Sequence, residues 1–276
     1  MHLPEEVINV KDGDVVAVDL ETYDPKLKTH GSGSISGSGF VCGIAIAYRD
    51  EKYYFPIKHK GPKLGASQVW KVLNRRILQN EKIDKVFHNA IYDVCWIRAA
   101  TGLMPKGNLY DTMIAASVID ENRKSYSLDA LSSEYLQDKK YKYDLAERSQ
   151  DEHGISDPMS NMDKLPYDLV KDYAEQDVSL TLRLWNKFKK IIDTPIPVKG
   201  PPSHPVKYKT LKNIFDLETR LFPCLVEMRF KGVRVDENKS KALGDKLKRK
   251  QDIIVQGIKR RTGIDIQIWA ADSIKQ

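Results

Sequence analysis

Cysteine is scarce in this sequence, a long apolar run is missing, and no segment repeats at a period of 20–50 residues. Cys42, Cys95 and Cys224 are the three cysteines among 276 residues. They are odd in number and far apart, with no CxxC spacing, which excludes a disulfide framework and a thiolate zinc site. No apolar stretch approaches the ~20 residues that a bilayer-crossing helix needs. The opening MHLPEEVINVKDGD lacks the basic, apolar and small-residue succession of a secretory signal, so the expected compartment is the cytoplasm. The six histidines, at positions 2, 30, 59, 88, 153 and 204, show no metal-site spacing, and His88 reads as structural. The glycine tract at 31–39 is followed neither by Lys-Ser/Thr nor by a helix, which excludes a phosphate-cradling loop and leaves a flexible one.

What is present is a chain with 41% hydrophobic residues, long enough for one sizeable domain with its own core and a smaller second piece. Its net charge of +7 is unevenly spread. Residues 1–204 hold 28 basic and 29 acidic side chains, whereas residues 205–276 hold 17 basic and 9 acidic. The excess belongs to the last quarter, which reads either as a solvated lysine-rich helix or as a phosphate-binding surface.

Periodicity divides the first part into alternating elements. Strands are expected at 14–20, at 40–48 and 52–57 as a hairpin, at 85–87 and at 108–110. Helices are expected at 69–78, 91–100, 112–119, 127–135 and 166–192, with loops at 23–39 and over the polar stretch 137–163. This order predicts an α/β layer domain. Residues 193–205 carry five of the 13 prolines and read as a semi-rigid extended spacer. Beyond it, an amphipathic helix at 211–230, closed by Gly232, and a second one at 237–261 form an α-helical C-terminal segment.

Four acidic positions fall where these elements gather them. Asp19 and Glu21 are two apart at the end of the first strand, so both side chains leave on one face. Asp93 lies in the first turn of a helix, and Asp177 shares a helix face with Tyr173 one i, i+4 step before it. Carboxylates gathered in one cleft repel unless cations hold them, and hard divalent ions with oxygen ligands are the natural partner. Two such ions about 3.5–4 Å apart serve phosphodiester hydrolysis.

Asp19-Leu20-Glu21-Thr22, Asn89-Ala90-Ile91-Tyr92-Asp93 and Tyr173-Ala174-Glu175-Gln176-Asp177 resemble, in order and spacing, the three motifs of DEDDy-type DnaQ-like 3′–5′ exonucleases. The likeness is closest to the proofreading domain of family A (DNA polymerase I type) polymerases, and it extends to Tyr110-Asp111-Thr112-Met113 and Ser127-Leu128-Asp129-Ala130-Leu131. The resemblance covers roughly residues 10–192, with an exonuclease domain expected over 1–192. It implies an RNase H-like fold, a central mixed sheet flanked by helices, and two divalent cations, Mg²⁺ or Mn²⁺. It further implies that Asp19, Glu21 and Asp177 hold the metal at which water is activated, that Asp93 acts near the second metal through water, and that Tyr173 with Glu21 orients the attacking water. Thr22 and Asn89 become contacts to the 3′-terminal nucleotide; Asn89 reads equally well as a helix-cap residue. Arg123 and Lys124 read as exposed loop charges.

Past the spacer, Leu217-Glu218-Thr219-Arg220-Leu221-Phe222-Pro223 and Glu227-Met228-Arg229-Phe230-Lys231-Gly232-Val233-Arg234-Val235-Asp236 resemble the base of the polymerase thumb, so 206–276 is expected to be the incomplete start of that domain. No room for a palm follows, and the expectation is a chain that does not synthesise DNA by itself. The long loop after the first motif resembles phage polymerases, with host-cell cytoplasm as the implied compartment. The expected activity is a metal-dependent 3′–5′ exodeoxyribonuclease acting on single-stranded DNA ends in DNA replication, alone or with a separate polymerase chain. An RNase D-like exoribonuclease and a non-catalytic DNA-binding subunit of a split polymerase are the alternatives.

Overall fold

The computed structural model describes residues 3–138, 142–198 and 207–274. A short helix, α1 (Pro4–Val7), precedes β1 (Val15–Tyr23); α2 (Leu27–His30) and α3 (Gly33–Ser36) follow, then the hairpin β2 (Phe40–Tyr48) and β3 (Glu51–Pro56). Next come α4 (Ala66–Leu73), continued by a π-helical turn at Asn74–Leu78, then β4 (Asp84–Phe87), α5 (Ala90–Thr101), β5 (Leu109–Asp111), α6 (Thr112–Ile119), α7 (Leu128–Leu136) and α8 (Lys142–His153). A 3₁₀ turn at Met162–Lys164 leads into the long α9 (Tyr167–Asp193), and β6 (Ile196–Val198) and β7 (Lys207–Lys209) precede α10 (Lys212–Lys231), α11 (Glu237–Thr262) and α12 (Ala271–Ile274).

The main sheet has the order β3-β2-β1-β4-β5. β1 is antiparallel to β2 and parallel to β4, which is parallel to β5, so the sheet is mixed. Strand alternation builds a core on each face. Val16, Val18 and Leu20 of β1 enter one core with residues of α4 and α5, whereas Ala17 enters the other beneath α9. On that second face the strands present Ala17, Cys42, Ala45 and Ala47. Such small side chains let α9 lie close to β1, and this closeness makes the site.

Three expectations are corrected. The loop at 23–39 contains α2 and α3. Asp24 folds it, its two carboxylate oxygens accepting from Gly33 N at 3.2 and 3.0 Å. A Cβ at Gly33 would lie 1.7 Å from the Ser38 carbonyl oxygen, so the glycine is a packing requirement as well as a mark of flexibility. The polar stretch 137–163 contains α8, whose Leu145 and Ser149 are buried one turn apart. Among its residues whose burial is described, Leu145 is the one buried apolar anchor, so they show no hydrophobic stripe, and the i, i+4 pair Arg148–Glu152 supports the helix. The proline-rich spacer contributes β6, which pairs with β7 as a two-stranded antiparallel ribbon; every strand of such a ribbon is an edge, where proline is tolerated. The rest of the spacer, 199–205, lies outside the described residues.

Packing divides the chain into two units, 1–230 and 231–276. Nearly all of α10 therefore belongs to the first unit, although its sequence reads with the following helix. Phe215 stacks with Tyr110 and tilts against Trp185, at centroid distances of 5.8 and 5.5 Å, while Phe222 and Val226 enter the core on the opposite face. Arg98 donates to both carboxylate oxygens of Glu227, at 2.5 and 3.1 Å, and lies 4.3 Å from the Phe230 ring centroid. In the second unit, α11 buries none of its residues.

Lys85, on β4, is fully buried, its ammonium donating to the carbonyl oxygens of Asn80 (2.7 Å) and Lys106 (2.6 Å). Burial pushes its pKa down to about 8, from an ordinary value of 10.5. The folded chain therefore releases this proton at lower pH than the unfolded chain, and its folding stability rises as pH climbs from about 8 towards 10. Urea midpoints at pH 7 and pH 9.5 are expected to show this rise, and Lys85→Met is expected to remove that contribution.

Candidate active site

The site is assembled from β1, α5 and α9. Asp19 and Glu21 stand two residues apart on β1, opposite Ala45 and Gly43 of β2. The small partners leave the carboxylates uncrowded. Gly43 has a second duty, because a Cβ there would lie 2.1 Å from the Tyr54 hydroxyl oxygen. That hydroxyl is hydrogen-bonded to Nε2 of the buried His59. Cys42 is the extra residue of a bulge between Glu21 and Thr22 in the register, and its carbonyl accepts from both Ile57 N and Lys58 N at 2.8 Å. From α9, Tyr173 and Asp177 face the strand one turn apart, both buried. One oxygen each of Asp19, Glu21 and Asp177 lie within 4.8 Å of one another.

Asp93 stands outside that group of three but next to it. Its Oδ1 accepts from Leu20 N at 3.1 Å, tying the first turn of α5 to the middle of the motif on β1. Asn89 does not cap α5 through its side chain. Its backbone is left-handed (φ 68°, ψ 51°), and the cap is supplied by Asp111, whose oxygens accept from Asn89 N (3.0 Å) and Ala90 N (2.8 Å). Asp111 also caps its own helix, accepting from Met113 N at 2.8 Å. Nearby, His88 Nδ1 lies 2.8 Å from the Thr112 hydroxyl.

A family model described as a 3′–5′ exonuclease matches residues 2–193. The chain belongs to this family, the exonucleases of family A DNA polymerases. The DNA-directed DNA polymerase of Pseudomonas phage M6 is 30% identical over 228 residues, 80% of this chain and 31% of that one. DNA polymerase I of Borreliella burgdorferi is 26% identical over 270 residues, 97% of this chain and 26% of that one. The chain thus spans about a third or less of the length of these relatives. Among solved structures, RNase D of Trypanosoma brucei in complex with GMP superposes with a TM-score of 0.56 at 20% identity, covering 84% of this chain and 63% of that one. The shared fold is the RNase H-like fold of DnaQ exonucleases.

The electrostatics of this 3′–5′ exonuclease follow from its buried acids. Burial, with the charge of Asp19 adding to it, raises the Asp93 carboxyl well above the usual range, against the Leu20 N–H that favours the charged form. Burial likewise raises the Tyr173 phenol, helped by Asp177, Glu21 and Asp19. At neutral pH Tyr173 is therefore a hydrogen-bond donor and not a base; its hydroxyl lies 3.8 Å from the Met159 sulfur. The Thr22 hydroxyl is 2.7 Å from that of Tyr92, which also donates to Asp24 at 3.3 Å. Burial pushes the Tyr92 phenol up to about 12.

Tyr92 and Asp111 are the residues of the site to which the sequence assigned no role. Asp111 precedes a helix, which is a readable cap signal for α6, but its grip on α5 comes from a strand pairing and has no local trace. Arg123 is no exposed loop charge: it pairs with Glu134 at 2.7 and 2.5 Å and lies 5.3 Å from the Tyr135 centroid. Among the described residues, no helix is long and apolar enough to cross a membrane.

Proposed function

We propose that this exonuclease removes nucleotides one at a time from the 3′ end of single-stranded or frayed DNA, releasing nucleoside 5′-monophosphates in a reaction that needs divalent cations. The observation that carries the reading is the group Asp19, Glu21 and Asp177, whose oxygens converge within 4.8 Å. An all-oxygen, anionic donor set of this kind fits Mg²⁺ or Mn²⁺. The three carboxylates would hold one ion, and Asp93, adjoining Asp19, would serve a second through water. Such ions, bound there, would acidify a water and offset the negative charge that develops at the phosphate.

The protein's own groups do the rest. Tyr173, kept protonated by its surroundings, donates a hydrogen bond that fixes the attacking water, with Glu21 as the acceptor on its other side. Thr22, held by Tyr92, and Asn89, held by Asp111, line the place of the terminal nucleotide. DNA is preferred to RNA because the sequence relatives are DNA polymerases, whereas the likeness to RNase D, at 20% identity, speaks for fold alone. The basic segment beyond the nuclease unit, residues 231–276, serves as the start of a polymerase thumb and as a contact to duplex DNA, with a separate polymerase chain as its partner.

Equal-sequence DNA and RNA oligonucleotides, labelled at the 5′ end, test the reading. The expected result is stepwise shortening of DNA in Mg²⁺ or Mn²⁺, 5′-monophosphate products, and arrest by EDTA. Faster shortening of RNA would replace DNA by RNA as substrate, and no hydrolysis of either would favour the non-catalytic binding subunit.

A further inference from the structure

We propose that the cavity beneath the 31–39 loop is a binding subsite for an unpaired base of the substrate strand, a few nucleotides upstream of the 3′ end, with Lys58 on the adjoining phosphate. The proposal rests on the DNA exonuclease reading for its ligand, but its residues lie outside the carboxylate group.

The cavity measures about 510 Å³ and is walled by Phe40, Trp70, Trp96, Ile35 and Ile57, with Lys58 at its lip. That volume lies in the usual range of ligand pockets, ~300–1,000 Å³. Two aromatic routes connect it to the catalytic group. On the first, Asp19, Glu21 and Tyr23 alternate onto one face of β1, and Tyr23 stands about 7 Å beyond Glu21 along the strand. Tyr23 pairs with Phe40 in register and stacks on it at 5.1 Å. The Lys58 ammonium lies 3.6 Å from the Phe40 centroid, and no carboxylate forms a salt bridge with it among the described residues. On the second route, Thr22 touches Tyr92, whose ring meets Trp96 edge-on at 6.5 Å.

The chemistry of these walls selects the ligand. The ions that the carboxylates would hold meet the scissile phosphate, and Lys58, exposed at the cavity lip, offers a cation to a phosphate farther upstream. The Phe40 ring is already engaged by Tyr23 and Lys58, and Trp96 is buried, so half-buried Trp70 is the wall that offers a stacking face; such faces hold single-stranded bases with little regard to sequence. A paired base has its faces covered by its neighbours and its edge by its partner, so the cavity discriminates for melted ends, the substrates from which a 3′ nucleotide can be reached.

The experiment uses the full chain and oligodeoxythymidylates of two to eight nucleotides. In the unaltered protein, KM is expected to fall at least tenfold between the dinucleotide and the hexanucleotide. Lys58→Ala, at an exposed position that leaves folding intact, and Trp70→Ala are each expected to bring the ratio of the two KM values close to one. In EDTA, 2-aminopurine placed at successive positions of an octanucleotide is expected to be quenched most at the third to fifth base from the 3′ end, and Trp70→Ala to relieve that quenching. Unchanged length dependence in both variants, or quenching that ignores Trp70, overturns the proposal. If the unaltered protein shows the quenching but hydrolyses nothing, the subsite stands and the nuclease reading fails.

Discussion

Asp19→Asn is expected to lower the rate of 3′ nucleotide removal by roughly 10³-fold, about 4 kcal/mol of barrier, and at the same time to make the metal-free protein more stable. The two effects have one cause. With oxygens of Asp19, Glu21 and Asp177 within 4.8 Å of one another, each pair of charges would repel by about 3.5 kcal/mol or more at an effective dielectric constant of 20. Asparagine keeps the shape and removes one of the three charges, so in EDTA the melting temperature should rise. With cations the order reverses. The unaltered protein should gain about 2.7 kcal/mol at a hundredfold excess of Mn²⁺ over its dissociation constant, and the variant markedly less. Thermal melts in EDTA and in Mn²⁺, run beside the oligonucleotide assay, check all of this. A variant that melts lower than the parent in EDTA would mean that the three charges are already compensated within the protein, and that the site does not await cations.

The geometry that makes this prediction was largely readable from local pattern. Period-2 spacing put Asp19 and Glu21 on one face, and the i, i+4 step put Tyr173 above Asp177; both hold because β1 and α9 are regular where these residues sit. That α9 lies on β1 follows from the alternating small residues Ala17, Ala45 and Ala47. What could not be read is whatever depends on partners distant in sequence. Gly43 looks like a weak strand residue until Tyr54 is seen to occupy the space its side chain would fill. α8 hides because Leu145, the one buried apolar residue among those described in it, makes no stripe, and α10 reads with the basic α11 although Phe215, Phe222 and Val226 bind it to the nuclease cores. Asn89 as a cap residue was a reasonable local reading, displaced by a carboxylate 22 residues later.

That carboxylate carries the second large expectation. Asp111→Asn should cost about 2–4 kcal/mol of folding stability and lower exonuclease turnover some 10–100-fold, although Asp111 is no member of the carboxylate group. Its two oxygens accept from Asn89 N, Ala90 N and Met113 N at 3.0, 2.8 and 2.8 Å, so one side chain starts two helices. An amide offers one acceptor and turns its NH₂ towards N–H donors, leaving at least one of them buried and unpaired. Charge-assisted bonds of this kind are worth about 1.5–3 kcal/mol each, and the burial that raises the Asp111 pKa offsets part of the total. The loss falls on a backbone already strained: Asn89 holds a positive φ of 68° with these bonds as its support. Once that turn relaxes, the first turn of α5 moves, and with it Asp93 and the bond to Leu20 N that ties α5 to the catalytic strand. Denaturant unfolding gives the stability, and amide exchange at Leu20 and Ala90 should quicken in the variant ahead of global unfolding. Wild-type exchange at both amides together with lost activity would instead mean that Asp111 acts on the substrate directly.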